Sequence, residues 1–309
     1  MKRLIIYSIL SVVTLCSYGQ SNFNKTEIKS IMKRVADWQI ANPATGAEHD
    51  DLNWTYAALY MGMIDWAELT EKEDGDSQYY NWLLKIGRRN AWQMGKYMYH
   101  ADFIAVGQVF LEMYQKYNDR NMMFPTLART EFVINHPSAS TLELDYRNMA
   151  SLERWSWCDA LFMAPPVYAK MYMLTNDWKY IEFMNREYKA TYDYLFDKEE
   201  ELFYRDHRYF KQKEANGKKV FWGRGNGWVL GGLCEILQTL PRNNMHRQFY
   251  QDLFITLSNR IVRLQGKDGY WHASLLDPDS YPSPETSATG FIVYALAYGS
   301  MKDCWIKPS

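Results

Sequence analysis

The sequence predicts an all-α fold of paired helices, an (α/α) barrel, and three observations carry that prediction. From Asn24 onward apolar residues recur at spacings of three and four, the helical period, and strand-like alternation is hard to find. The helical stretches follow one another without a linker, a low-complexity segment or the fixed repeat of a solenoid. Their connections alternate between short turns, such as Thr175-Asn176-Asp177, and long loops at 136–156, 201–225 and 265–285. Those loops are rich in Gly, Pro, Asp and aromatic residues, the setting in which sites tend to be built.

Taken in order, Ile28, Ile31, Met32, Val35 and Trp38 share one face of a first helix, which Asn42-Pro43 terminates because the residue before proline avoids helical backbone. Trp54, Ala57, Ala58, Met61, Ile64 and Trp66 mark a second. Further helices are expected over 78–95, 101–117, 121–135, 166–174, 177–196, 226–240, 246–264 and 286–301.

Composition narrows the function. The 309 residues carry 35 Lys+Arg against 36 Asp+Glu, a formal charge of −1, and 47% are hydrophobic. No basic block offers a footprint for nucleic acid or an anionic membrane, so individual residues must recognise a charged ligand. Lys2 and Arg3, the apolar run Leu4 to Leu15 and the small-residue exit Ser17-Tyr18-Gly19 make residues 1–19 an export signal and 20–309 the mature domain. The mature protein is therefore expected to be periplasmic or secreted. A lipoprotein anchor at Cys16 is disfavoured because Leu15, rather than a small residue, precedes it. No later stretch has the apolar length of a membrane span. Cys158, Cys234 and Cys304 are too scattered for a disulfide framework or a zinc site, and Cys158 and Cys234 suit buried positions. Phosphate loops, metal-binding histidine pairs and nucleophile elbows are missing, so neither a metal nor a cofactor is expected.

What remains is carboxylates among aromatics. Asp159 sits in Trp155-Ser156-Trp157-Cys158-Asp159-Ala160-Leu161-Phe162-Met163-Ala164-Pro165-Pro166, where desolvation would raise its pKa into a general acid's range. The alternative is a helix cap. In Phe221-Trp222-Gly223-Arg224-Gly225-Asn226-Gly227-Trp228 the glycines let backbone approach a ligand, Arg224 can grip a carboxylate, and Trp222 and Trp228 offer flat faces to sugar rings. Its plain reading is a glycine-rich turn with two core tryptophans. Asp102, after His100-Ala101, is an acid near a helix start, and Tyr204-Arg205-Asp206-His207-Arg208-Tyr209 is either a polar site or a solvated loop with an ion pair. Gly269-Tyr270-Trp271-His272 and Glu285-Thr286-Ser287 flank the last long loop, and Glu285-Thr286-Ser287 is equally readable as a helix cap.

These same segments, in this order, resemble glycoside hydrolase family 105, the unsaturated rhamnogalacturonyl hydrolases, and more distantly the family 88 unsaturated glucuronyl hydrolases. The matching runs are Ala101-Asp102, Trp157 to Pro165, Trp222 to Trp228, Asp268 to His272 and Glu285 to Ala288, and the Trp222 to Trp228 run is the most specific. The resemblance implies an (α/α)6 barrel that removes a 4,5-unsaturated uronic acid from the non-reducing end of lyase-generated rhamnogalacturonan oligosaccharides. It implies Asp159 as general acid and base, Asp102 as the second pocket acid, and Trp222, Arg224 and Trp228 as contacts to an acidic oligosaccharide; Trp157 and His207, in the same aromatic and polar runs, are further candidate contacts. Two departures stand out. Arg205-Asp206-His207-Arg208 replaces a His-Gly-Trp-Asp-like segment, which keeps ulvan or glycosaminoglycan fragments open as substrates, and the helices counted fall one pair short of six, so a truncated barrel, even an inactive sugar-binding one, is a second reading.

Overall fold

The structure, a computed structural model, describes residues 24–43 and 50–301. The export signal read in residues 1–19, and with it Cys16, lies outside the described residues, as do His49 and Cys304. The chain divides into two units, Met1–Thr45 and Gly46–Ser309. The first holds helix α1 (Lys25–Ala41), whose Asn24 side chain accepts the Thr26 N–H at 2.9 Å and so satisfies one of the orphan donors at the helix start.

The second unit is built from α2 (Trp54–Asp74), α3 (Gln78–Arg89), α4 (Ala101–Ile104), α5 (Gly107–Tyr117), α6 (Arg120–Asn135), α7 (Ala160–Met163), α8 (Pro165–Thr175), α9 (Trp178–Leu195), α10 (Gly223–Thr239), α11 (Arg247–Val262) and α12 (Thr286–Met301). Helices α2, α5, α8, α10 and α12 pack side by side in succession as an inner layer. Against them, α3 lies on α2, α6 on α5, α9 on α8 and α11 on α10. Burial follows this order: almost every residue of α10 from Gly223 to Leu237 is buried, while α9 keeps a single buried stripe through Tyr180, Met184, Tyr188, Thr191 and Leu195. Boundaries come from local chemistry. Asn53, Asp119 and Asp177 cap α2, α6 and α9 by accepting the N–H two residues on, while Gly75, Asn118 and Asn176 end α2, α5 and α8 in left-handed backbone.

The predicted helices are all present, with four differences. Helix α3 stops at Arg89 instead of continuing to 95, because Ala91 and Trp92 turn left-handed and the Trp92 N–H reaches back to the Gly87 carbonyl at 2.8 Å. That reversal buries the Trp92 indole edge-on against Phe110. The stretch 101–117 divides into α4 and α5, since the Gln108 and Val109 N–H groups bond to carbonyls three residues back. Helix α10 starts at Gly223, three residues before the expected 226, and two short elements went unpredicted: α7, and a hairpin of β1 (Phe196–Asp197) with β2 (Leu202–Phe203).

Helix α7 reaches the inner layer only because α10 presents a glycine to it. A Cβ on Gly232 would stand 2.3 Å from the Leu161 carbonyl oxygen and 2.8 Å from the Phe162 Cα, both of them backbone atoms that cannot swing aside. Gly232→Ala is therefore expected to lower stability by about 1–3 kcal/mol, the usual cost of overpacking, which thermal or urea unfolding will measure.

Candidate active site

The inner helices begin at one end of their layer, and there a cavity of about 210 Å³ collects side chains from segments far apart in sequence. Asp102 and His100 enter from α4, Trp157 and Asp159 from the turn before α7, Arg205 from just after β2, and Trp222 and Arg224 from the start of α10. Trp54, Tyr146, Leu152 and Met163 complete the wall.

Asp159 occupies the N-cap position of α7, yet its side chain makes no capping bond. The capping alternative is thereby removed and the carboxylate is left to the cavity. Its Oδ1 accepts the Cys158 thiol proton at 3.2 Å. Burial pushes its pKa up to about 6; the thiol bond and the positive charges of Arg205 and Arg224 pull the other way and lose. Asp102 is also relieved of capping duty, because the His100 Nδ1 accepts the Asp102 N–H at 3.2 Å. Burial, reinforced by the charge of Asp159 and opposed by Arg205, raises the Asp102 pKa to about 7. His100 lies against Trp157 at 5.0 Å, and burial lowers its pKa to about 4, so at neutral pH the ring is uncharged. With Nδ1 accepting, its proton sits on Nε2.

Two guanidinium groups face these acids. Arg224 lies over the Trp222 ring at 4.5 Å and donates to Glu285 at 3.1 Å, while its buried Nε has no hydrogen-bond partner among the described residues. Glu285 also accepts from the Ser287 hydroxyl and the Ala288 N–H, so the helix-start role read from the sequence and the tether on Arg224 are the same residue. Arg205 stands 5.8 Å from the same Trp222 ring and donates to Asp206 and to the Tyr146 hydroxyl, each at 2.9 Å.

Of the seven residues singled out in sequence, the cavity brings together Asp102, Trp157, Asp159, Trp222 and Arg224. Trp228 and His207 are not in its wall. Trp228 is buried behind Trp54, which it meets edge-on at 5.7 Å, and packs on Phe162 and Phe291, so its flat face is spent in the core. The His207 Nδ1 accepts the Leu144 N–H at 3.0 Å, anchoring the 136–156 loop. Its neighbour Arg205, two positions earlier in the same polar run, takes the place in the cavity. The fully buried Asp206 explains the arrangement, since it holds both Arg205 and Arg208. Tyr146 carried no sequence signal beyond its loop, and His100 was marked only as the neighbour of Asp102 at a helix start.

A helical double layer with two desolvated carboxylates, two arginines and three tryptophans at its loop end can hold an anionic ligand and exchange a proton with it. The model of glycosyl hydrolase family 88 matches residues 25–308, and the chain belongs to that family. It is a glycoside hydrolase. It is 38% identical over 303 residues, 94% of this chain and 77% of the relative, to an unsaturated 3S-rhamnoglycuronyl hydrolase of Formosa agariphila. A protein of the same name from an Alteromonas strain is 35% identical over 88% of this chain and 70% of its own. Among solved structures, a family 88 glycosyl hydrolase from Bacteroides vulgatus superposes with a TM-score of 0.75 at 26% identity, covering 90% of this chain and 80% of that one.

The two acids make stability depend on pH. Both bind their protons more tightly folded than unfolded, so their contribution is complete below about pH 4 and is lost as pH rises through 6 to 7. Asp102→Asn and Asp159→Asn, which have no charge to bury, are each expected to raise Tm relative to wild type at pH 8. The gain should vanish near pH 4, which calorimetry across that range will show.

Proposed function

We propose that this enzyme removes a 4,5-unsaturated uronic acid from the non-reducing end of lyase-generated oligosaccharides, with Asp159 as both acid and base. The observation that carries the reading is the carboxyl of Asp159: uncapped, desolvated, and facing a cavity it shares with Asp102, Arg205, Arg224 and Trp222.

An unsaturated uronide is an enol ether. Asp159 gives its proton to C4, and positive charge develops at C5 and the ring oxygen. The carboxylate so formed takes a proton from water, whose oxygen bonds to C5. The resulting hemiketal opens by breaking the C5–ring oxygen bond, which leaves a ketone at C5 and a hemiacetal at C1. Collapse of that hemiacetal releases the aglycone alcohol, and the balance is one water consumed. One acid returning to its starting state suffices, unlike the two flanking carboxylates of ordinary glycosidases. Asp102 is the second pocket acid, Arg224 meets the sugar carboxylate, and Trp222 and Trp157 meet the ring.

For the substrate, the names of the two relatives support a rhamnoglycuronyl fragment ahead of the rhamnogalacturonan fragment that the family resemblance implies. Arg205, which departs from the family pattern and lies in the cavity, supports the same shift. The leader-like residues 1–19 support export of the enzyme.

The test is loss of the ultraviolet absorbance of the conjugated double bond on unsaturated rhamnoglycuronyl and rhamnogalacturonan oligosaccharides. Turnover of the first with little of the second is expected, and no loss with either overturns the reading. Asp159→Asn should lower kcat by about 10²–10⁴-fold with the fold intact. Arg224→Leu should act mainly on KM. Because Asp159 must start protonated, kcat/KM is expected to fall as pH rises through about 6, and a flat profile to pH 8 would remove it from the role.

A further inference from the structure

Cys158 does more than fill the core. It is fully buried, its N–H donates to the Arg205 carbonyl at 2.9 Å, and its sulfur lies 3.2 Å from the Asp159 Oδ1. The facing turn closes over this pair: a Cβ on Gly225 would come within 2.9 Å of the sulfur and 3.5 Å of the Asp159 Oδ1. Glycine is thus the residue that lets the turn approach the thiol and the carboxyl together. Burial and the neighbouring carboxylate push the thiol's own pKa up, so it keeps the proton it donates.

We propose that Cys158 is a positioning residue for the acid. By donating to Oδ1, the thiol fixes the plane of the carboxyl group and reserves Oδ2 as the oxygen that carries the transferable proton. The choice of sulfur has a chemical reason. A thiol is a weak donor, so it orients the carboxylate without favouring the charged form as strongly as a hydroxyl would. A stronger donor at this point would draw Asp159 towards the ordinary carboxylate range and empty it of its proton near neutrality. With no donor, the carboxyl would keep its proton but lose its orientation. This inference rests on Asp159 being the acid of the proposed reaction.

The test uses Cys158→Ala and Cys158→Ser in the full chain, with two readouts: the pH profile of kcat and KM, and titration of the Asp159 carboxyl by its ¹³C chemical shift. In the alanine variant the alkaline limb should move to higher pH and kcat should fall roughly tenfold with KM kept, the size of one lost hydrogen bond to a charged group. In the serine variant the limb should move to lower pH, with kcat recovering towards wild type at pH 5. Opposite shifts are the mark of a donor. Loss of stability in both variants with the limb and the carboxyl titration unmoved would reduce Cys158 to packing and overturn the proposal. The ¹³C titration stands apart from activity: if wild type turns over no unsaturated uronide, the functional reading fails, while the opposite shifts in Ala and Ser still decide whether the thiol governs this carboxyl.

Discussion

One buried amide holds the active-site end together. The Asn226 side chain accepts the Phe203 N–H at 2.8 Å and donates to the Phe203 carbonyl at 3.1 Å and the Trp222 carbonyl at 3.0 Å. It thereby fastens the start of α10 to β2 by both backbone groups of one residue. A hairpin with two-residue strands has little stability of its own, so this pairing decides where β2 lies. Arg205 follows two residues later, and its carbonyl receives the Cys158 N–H. Asp159 comes next in sequence. The two guanidinium groups, the thiol and the acid are therefore all referred to Asn226. Leaving the Phe203 N–H and carbonyl buried and unpaired would cost about 1–3 kcal/mol for each group, and would also release the geometry of the cavity.

The inner helices sort charge between their two ends. At the end where they begin, N–H groups and helix dipoles favour anions, which suits a cavity for an acidic sugar. Towards the other end, Lys170 bridges α8 to Glu112 of α5 at 2.8 Å and to Glu235 of α10 at 3.4 Å. Tyr294 of α12 donates to the same Glu235 at 2.8 Å. Lys170, Glu112 and Glu235 line a cavity of about 790 Å³ together with Asp65 of α2, whose pKa burial, Glu235 and Glu112 raise to about 7. The two ends use buried charge differently. Lys170 is matched by partners on neighbouring helices and rivets the layer, whereas Asp102 and Asp159 have no cation bonded to them among the described residues, and burial raises their pKa values instead.

The helices were legible because burial on a helix repeats every three or four residues; α2, α5 and α8 end where Gly75, Asn118 and Asn176 tolerate left-handed backbone. Helix α7 was not, since one turn is too short to show a period, and β1 and β2 are too short to show alternation. At the site, the Trp222 to Trp228 run marked a turn that lines the cavity, but not which of its tryptophans faces inward. That choice is made by α10: Trp228 lies six residues into the helix and turns towards Phe291 at 4.1 Å, while Trp222, at the cap, remains in the cavity. His207 lies outside the cavity wall for a related reason. A histidine in a polar loop looks like a site residue, and only the fold shows its ring nitrogen used on Leu144.

The protonation of Asp159 is decided by what its arginines are doing elsewhere. Two guanidinium groups beside an aspartate would normally hold it well below the usual carboxylate range. Here each has its own anion: Arg205 is bonded to the buried Asp206, and Arg224 to Glu285, which is itself fixed by the start of α12. Neither arginine makes a hydrogen bond to Asp159, and what reaches the acid is a field that burial outweighs. The arrangement also leaves Arg224 underused, with its buried Nε unpaired. A sugar carboxylate arriving at that guanidinium would meet an open donor without competing for the charge that Asp159 feels. Asp206 and Glu285, outside the cavity wall, therefore occupy the guanidinium groups whose charge Asp159 feels.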